Sequence, residues 1–173
     1  MRFLILIAPK DFKDESLAMV KLFFNRWNIE YRVGSYSRGE CEGYHGAVYK
    51  PDVNANDVRS SDYDGLMIID GSGIESSRMY EYRPLLDMIL LFNNSNRYIC
   101  AMGNAVKIIA RANVIKDKKI AMPADEDTAR MVVLFHGIPS KEKIEIDKNI
   151  ITIRDSNGLD ESLPKMLQRV GVI

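Results

Sequence analysis

Apolar and polar positions follow two rhythms along this chain, one suited to strands and one to helices, and the two alternate. Phe3 to Ala8 is a continuous apolar run, the pattern of a strand buried on both faces of a sheet. Pro9-Lys10-Asp11 breaks it. Leu17, Val20, Leu22, Phe23 and Trp27 then recur at helical spacing, with Asp14 or Ser16 as the expected cap. Asn28 ends that helix, and Ile29 to Tyr36 alternates as a second strand. Gly39, Gly43 and Gly46 predict a hairpin over Arg38 to Lys50, whose second arm holds Tyr44 and Ala47-Val48-Tyr49. Pro51-Asp52 starts a loop that leads to a helical turn at Asn56-Asp57-Val58.

A second buried strand pattern, Gly65 to Ile69, ends in the small-residue loop Asp70-Gly71-Ser72-Gly73. After the polar stretch Glu75–Tyr82, Pro84 opens a helix through Leu85, Leu86, Ile89, Leu90 and Phe92. Tyr98 to Cys100 reads as the end of another strand. The bend Ala101-Met102-Gly103 follows, then helical spacing at Val106, Ile109, Ala110, Ala112 and Val114. Beyond the basic turn Lys116–Lys119 and the run Ile120–Met122, a short helix is expected over Asp125–Arg130 and a β-rich stretch over Val132–Phe135. Lys143–Asp147 and Ile150–Ile153 form a hairpin, and a last helix runs from Leu159 to Val170. This order predicts one domain, residues 1–173, with a three-layer α/β sandwich, a mainly parallel sheet and one appended hairpin. Sites in such sheets form at the carboxyl ends of strands. The loops Pro9–Asp14, Asp70–Gly73 and Ala101–Asn104 are therefore the expected pocket walls.

Hydrophobic residues make up 46% and charged residues 28% of the 173 positions, which fits a globular chain and excludes general disorder. Lys+Arg and Asp+Glu are 24 each, so charge gives no reason to expect a nucleic acid or an anionic membrane as partner. The apolar run at the N-terminus is too short for an export signal or a membrane span, and the cytoplasm is the expected address. Cys41 and Cys100 stand in different segments without a CxxC, and no clustered Cys/His pattern points to a metal or other cofactor.

Within Arg97–Ile115 the bend is expected to hold Ala101 at a sharp strand-to-helix elbow, where helix amides face whatever sits there. Alanine has no nucleophile to offer. Cys100 is the one rescue, but strand alternation turns it away from the opening and favours a core thiol. Cys41 lies between Glu40 and Glu42 and reads as a surface or hairpin residue. His45 reads as part of the hairpin and His136 as a strand end. Lys13, with Asp14 and Glu15, is either a solvated helix start or a cation that attracts an anionic ligand. Asp70 caps a turn or faces the pocket, and Gly71-Ser72-Gly73 can offer backbone amides to an anion.

Several segments together resemble the ThiJ/PfpI family of the class I glutamine amidotransferase-like superfamily. They are Ile5–Leu17, the hairpin Gly43–Asp52, Tyr63–Ser72, Ile99–Ile115 and the late hairpin Asp147–Ile153, in the family's order and over nearly the whole chain. The resemblance implies a flavodoxin-like fold and a homodimer or higher homo-oligomer. It also implies activities among cysteine-dependent peptidases or amidases, glyoxalases or deglycases, and chaperone-like proteins. Aligned on these segments, the family's elbow cysteine falls at Ala101 and the adjacent histidine at Met102. The supporting acid falls at Lys13, with Asp14 and Glu15 beside it, and the second glycine of the Pro-Gly-Gly loop falls at Ser72. The late histidine falls near Asp155 or Ser156. The expectation is a non-catalytic or strongly altered member that binds a small anionic ligand or a protein partner. Its ligand site would be Lys13, Asp14, Glu15, Asp70, Gly71, Ser72, Ala101, Met102 and Gly103. The alternatives are a hydrolase or glyoxalase-like enzyme using Cys100, and a chaperone-like oligomer.

Overall fold

A computed structural model describes residues 1–173. Its strands are β1 (Arg2–Leu6), β2 (Lys10–Phe12), β3 (Glu30–Ser35), β4 (Cys41–Gly43), β5 (Val48–Tyr49), β6 (Val53–Asn54), β7 (Gly65–Ile68), β8 (Tyr98–Met102), β9 (Lys119–Ala121), β10 (Ile138–Ser140), β11 (Ile144–Asp147) and β12 (Ile150–Ile153). Its helices are α1 (Asp14–Arg26), α2 (Gly73–Ser76), α3 (Arg83–Asn94), α4 (Val106–Arg111), α5 (Glu126–Leu134) and α6 (Leu159–Arg169).

Seven strands form the main sheet in the order β11-β12-β8-β7-β1-β3-β6, parallel except for the antiparallel β11. The apolar runs become its centre because they have no polar face to turn to water. Phe3, Leu4, Ile5 and Leu6 are fully buried, as are Leu66, Met67 and Ile68 on the neighbouring strand. Each such side chain contributes roughly 1.5–3 kcal/mol. From β1 the chain crosses by α1 to β3 on one side, and from β7 by α3 to β8 on the other. Right-handed crossovers in opposite directions put α1 and α3 on opposite faces. The C-terminal α6 packs on α1, and α4 packs on α3 and α5. The reversal between β1 and β7 opens a crevice at their carboxyl ends, the usual ligand position in such sheets.

Two stretches differ from the hydrophobic pattern. Val132–Phe135 does not form a strand: α5 continues to Leu134, and Phe135 is its cap. Asp125 starts that helix by accepting the Asp127 and Thr128 amides, each at 3.3 Å, and buried Thr128 and Val132 fix its inner face. A cap and an i,i+4 core pair outweigh the β-branched residues. Consequently His136 is no strand end; it takes φ +64° in the turn after α5. Cys41 is on the hairpin, in β4, but fully buried rather than on the surface. No helix is long and apolar enough to cross a membrane.

Candidate functional site

Three loops meet at the crevice, and each contains a residue in left-handed or glycine-only backbone. Asp11 takes φ +55° after β1, Gly71 takes φ +147° after β7, and Gly103 takes φ +52° after β8. Such conformations persist only where the surroundings enforce them. At Gly71 an added Cβ would run into the Asp11 carbonyl and the Lys13 amide, so glycine is what lets two loops touch.

The strand-to-helix elbow pivots on Gly103 and not on Ala101. Ala101 sits inside β8, paired with Ile68 and Thr152, and Met102 pairs with Ile153; both are fully buried. Pairing on both sides carries the strand two residues beyond the aromatic and aliphatic run that marks it in the sequence. Cys100 is also walled in. It pairs with Met67 and Ile151, is fully buried, and burial pushes its thiol far above the ordinary value. A cysteine attacks as the thiolate, the form that this burial disfavours.

Around Gly103 lies a cleft of about 490 Å3 lined by Lys13, Glu15, Tyr44, His45, Asp70, Gly71, Ser72, Asn104, Pro123 and Asp155. Lys13, Glu15, Asp70, Gly71, Ser72 and Gly103 are thus brought together as the loops predict. Asp14, Ala101 and Met102 are not among its walls. Asp14 neither caps α1 nor faces the cleft: its Oδ2 accepts the amides of His45 at 3.1 Å and Ala47 at 3.2 Å. Gly43 has no side chain because Asp14 occupies that space.

Asp70 is the group on which the cleft turns. It is 5% exposed, and its Oδ2 lies 3.8 Å from Lys13 Nζ. The Lys13 amide donates to the Asp70 carbonyl at 2.9 Å. Burial raises the pKa of its carboxyl above the ordinary value, while the Ser16 hydroxyl and the Lys13 ammonium pull it down. Ser16 Oγ and Asp70 Oδ1 are both buried without a full hydrogen bond. Asn104 grips the loop opposite: its Oδ1 accepts the Gly71 amide at 3.1 Å and its Nδ2 donates to the Gly71 carbonyl at 2.8 Å. The adjacent Ser72 amide has no backbone acceptor. Two further contacts involve the walls: Glu15 Oε2 lies 3.9 Å from His45 Nε2, and the wall residue Asp155 pairs with Arg154 at 3.1 Å.

Sequence reasoning misses Ser16, which carries a cap-like signal but is buried beneath Asp70, and Asn104, which looks like an ordinary loop residue. His45 and Tyr44 reach the cleft because the hairpin is held there by β2–β4 pairing, by the Tyr44 amide on the Phe12 carbonyl and by the Asp14 carboxylate. Asp155, at the position that aligns near the family's late histidine, is in the wall.

The profile of the DJ-1/PfpI family matches residues 1–167. The chain belongs to the DJ-1/PfpI family. An uncharacterized protein of Methanocaldococcus jannaschii is 27% identical over 153 residues, covering 88% of this chain and 74% of that protein. An uncharacterized protein of Archaeoglobus fulgidus is 26% identical over 161 residues, covering 92% of both. Among solved structures, a ThiJ/PfpI domain protein from Brachyspira murdochii superposes with a TM-score of 0.91 at 16% identity, over 99% of this chain and 97% of that one. Drosophila melanogaster DJ-1beta gives a TM-score of 0.85 at 17% identity, over 99% and 91%. These likenesses confirm the parallel-sheet sandwich of the DJ-1/PfpI family.

Proposed function

We propose that this DJ-1/PfpI protein lacks the elbow cysteine and acts by binding a small polar ligand in the cleft at the ends of β1, β7 and β8. One observation carries the reading: the elbow residue is Gly103, and a Cβ built there would meet Asp70 Oδ2 at 2.8 Å. A carboxylate stands where a nucleophile's side chain would project. Both cysteines are buried, so no thiolate is available to the cleft.

Lys13 supports an anionic ligand, and the Ser72 amide offers a second donor. However, Glu15, Asp70 and Asp155 line the same walls, Asp70 beside Lys13 and Asp155 beside Arg154. Mixed charge favours a ligand that carries a hydrogen-bond donor as well as an acceptor. The test is turnover of methylglyoxal, peptide amides and activated esters by the purified protein beside Cys100→Ser. No turnover above background is expected; activity that Cys100→Ser abolishes would overturn the reading.

A second reading concerns assembly. Val133, Leu134 and Ile138 form an apolar surface on α5 and β10, 57%, 67% and 50% exposed. Exposed apolar clusters of this kind mark interfaces, which supports a homo-oligomer through this face. Light scattering of the protein and of Leu134→Asp tests it: a parent that is monomeric at high concentration rules it out.

A further inference from the structure

The elbow cleft does not end at its far wall. A second hollow of about 550 Å3 adjoins it, and Pro123 and Asp155 line both. This hollow runs past Met122, Ala124 and Ala129 to Pro139. Either volume is within the range of small-molecule sites, and a cavity of about 150 Å3 already holds a benzene ring.

The partition between the two hollows is fixed. Asp155 Oδ2 is paired with Arg154 Nε at 3.1 Å, and its Oδ1 accepts the Asn157 amide at 2.8 Å. Arg154 also donates to the Lys141 carbonyl at 2.9 Å. On the opposite rim, Asp125 is committed to the first turn of α5 through the Asp127 and Thr128 amides. With these charges engaged, Glu126 paired with Arg130 at 3.5 Å and the Ser140 hydroxyl donating to Glu145 at 2.6 Å, what the second hollow offers a ligand is the apolar surface of Met122, Pro123, Ala124, Ala129 and Pro139, together with the Lys141 ammonium. Ala124 and Ala129 contribute one methyl group each.

The first cleft offers the reverse. The Lys13 ammonium and the Ser72 amide can meet an acceptor. Asp70 lines the same cleft with its Oδ2 3.8 Å from Lys13 Nζ, beyond hydrogen-bond distance, so that oxygen can meet a donor.

We propose that the two hollows form one site for a small molecule whose head carries both a carboxylate and a hydrogen-bond donor and whose tail is a short apolar chain, the class of an apolar α-amino acid. This rests on the reading of the elbow cleft as a ligand site. The carboxylate faces Lys13 and Ser72, the ammonium faces Asp70, and the side chain passes Pro123 into the hollow against α5.

The experiment is titration of the intact protein, followed by NMR and calorimetry, with L-leucine, glycine, isocaproate (leucine without its amine) and isoamylamine (leucine without its carboxylate). Leucine is expected to bind about tenfold or more tightly than glycine, the effect of burying its side chain. Isocaproate and isoamylamine should each bind about tenfold more weakly than leucine, through loss of one charged hydrogen bond. Ala129→Phe and the exposed Ala124→Phe should lower leucine to the glycine level and leave glycine unchanged; the second variant covers a folding defect in the first. Equal binding of leucine and glycine would overturn the use of the second hollow while leaving the head site standing. Isocaproate binding as tightly as leucine would overturn the role of Asp70. Binding of none of the four would remove the cleft reading and this inference together.

Discussion

Asp70 and Gly103 exclude a side chain between them: a Cβ at position 103 would lie 2.8 Å from Asp70 Oδ2 and 2.9 Å from Asp70 Cβ. Position 103 also has φ +52°, which costs an L-residue about 1–2 kcal/mol. Gly103→Cys alone should therefore lower the melting temperature by about 2–4 °C per kcal/mol lost. Asp70→Gly in the same chain should restore part of it. A double-mutant cycle checks this, with a coupling above about 0.5 kcal/mol expected for sites in contact. Simple additivity would show that the two positions do not share the space.

Asp70 also makes stability depend on pH. Its folded-state value is raised above the ordinary 3.8, chiefly by burial. The protonated carboxyl is thus favoured by the fold, and its stabilising effect is complete below the ordinary value and lost as pH rises through the raised one. Asp70→Asn should be flat over that window. Urea unfolding from about pH 4 to about pH 7 should show the parent falling relative to Asp70→Asn. Carboxyls held below their ordinary values, such as Asp125 beside Thr128, have the opposite slope but are common to both proteins and cancel in the difference. A difference that does not change with pH would refute the assignment.

Removing Asn104 should loosen the cleft more than the core. Asn104→Ala leaves the Gly71 amide without a partner and its carbonyl with the Ile74 amide alone, at 3.2 Å, at a cost of about 1–3 kcal/mol. Faster amide exchange at Gly71, with β1 and β7 unchanged, is the expected signature. Unaltered exchange at Gly71 would mean that the loop is held by its backbone contacts alone.

The thiols should be silent in the native state. Cys41 and Cys100 are both fully buried, and burial raises both above the ordinary thiol value. A thiol-exchange reagent should find neither in the folded protein and both in denaturant. Fast reaction of one thiol under native conditions would place it nearer solvent than the core packing allows.

The sheet and its loops are legible in the sequence because parallel strands buried on both faces leave long apolar runs, as at Phe3–Ala8 and Gly65–Ile69. Lys13, Glu15 and Ser72 are legible as cleft residues for a topological reason: they follow strand ends. The elbow is harder. Ala101 and Met102 can stand in a turn or a strand, and only pairing with Thr152 and Ile153 decides for the strand. Ser16 and Asp14 show the same limit from the other side. Both suit a helix start, yet one is drawn beneath Asp70 and the other to the hairpin amides by contacts between distant segments. Val132–Phe135 is misread because local β propensity carries no information about the cap seven residues earlier at Asp125.

The bond from Asp14 to the hairpin amides bears on how anything enters. Tyr44 and His45 form one lip of the cleft; the His45 amide is bonded to the Asp14 carboxylate in the first turn of α1 and the Tyr44 amide to the Phe12 carbonyl, so that lip is tied to the helix start. The doorway is a frame, not a gate. Exchange with solvent then needs no opening step. For the ligand proposed above, residence time would then be governed by its contacts with the walls, and arrival by diffusion.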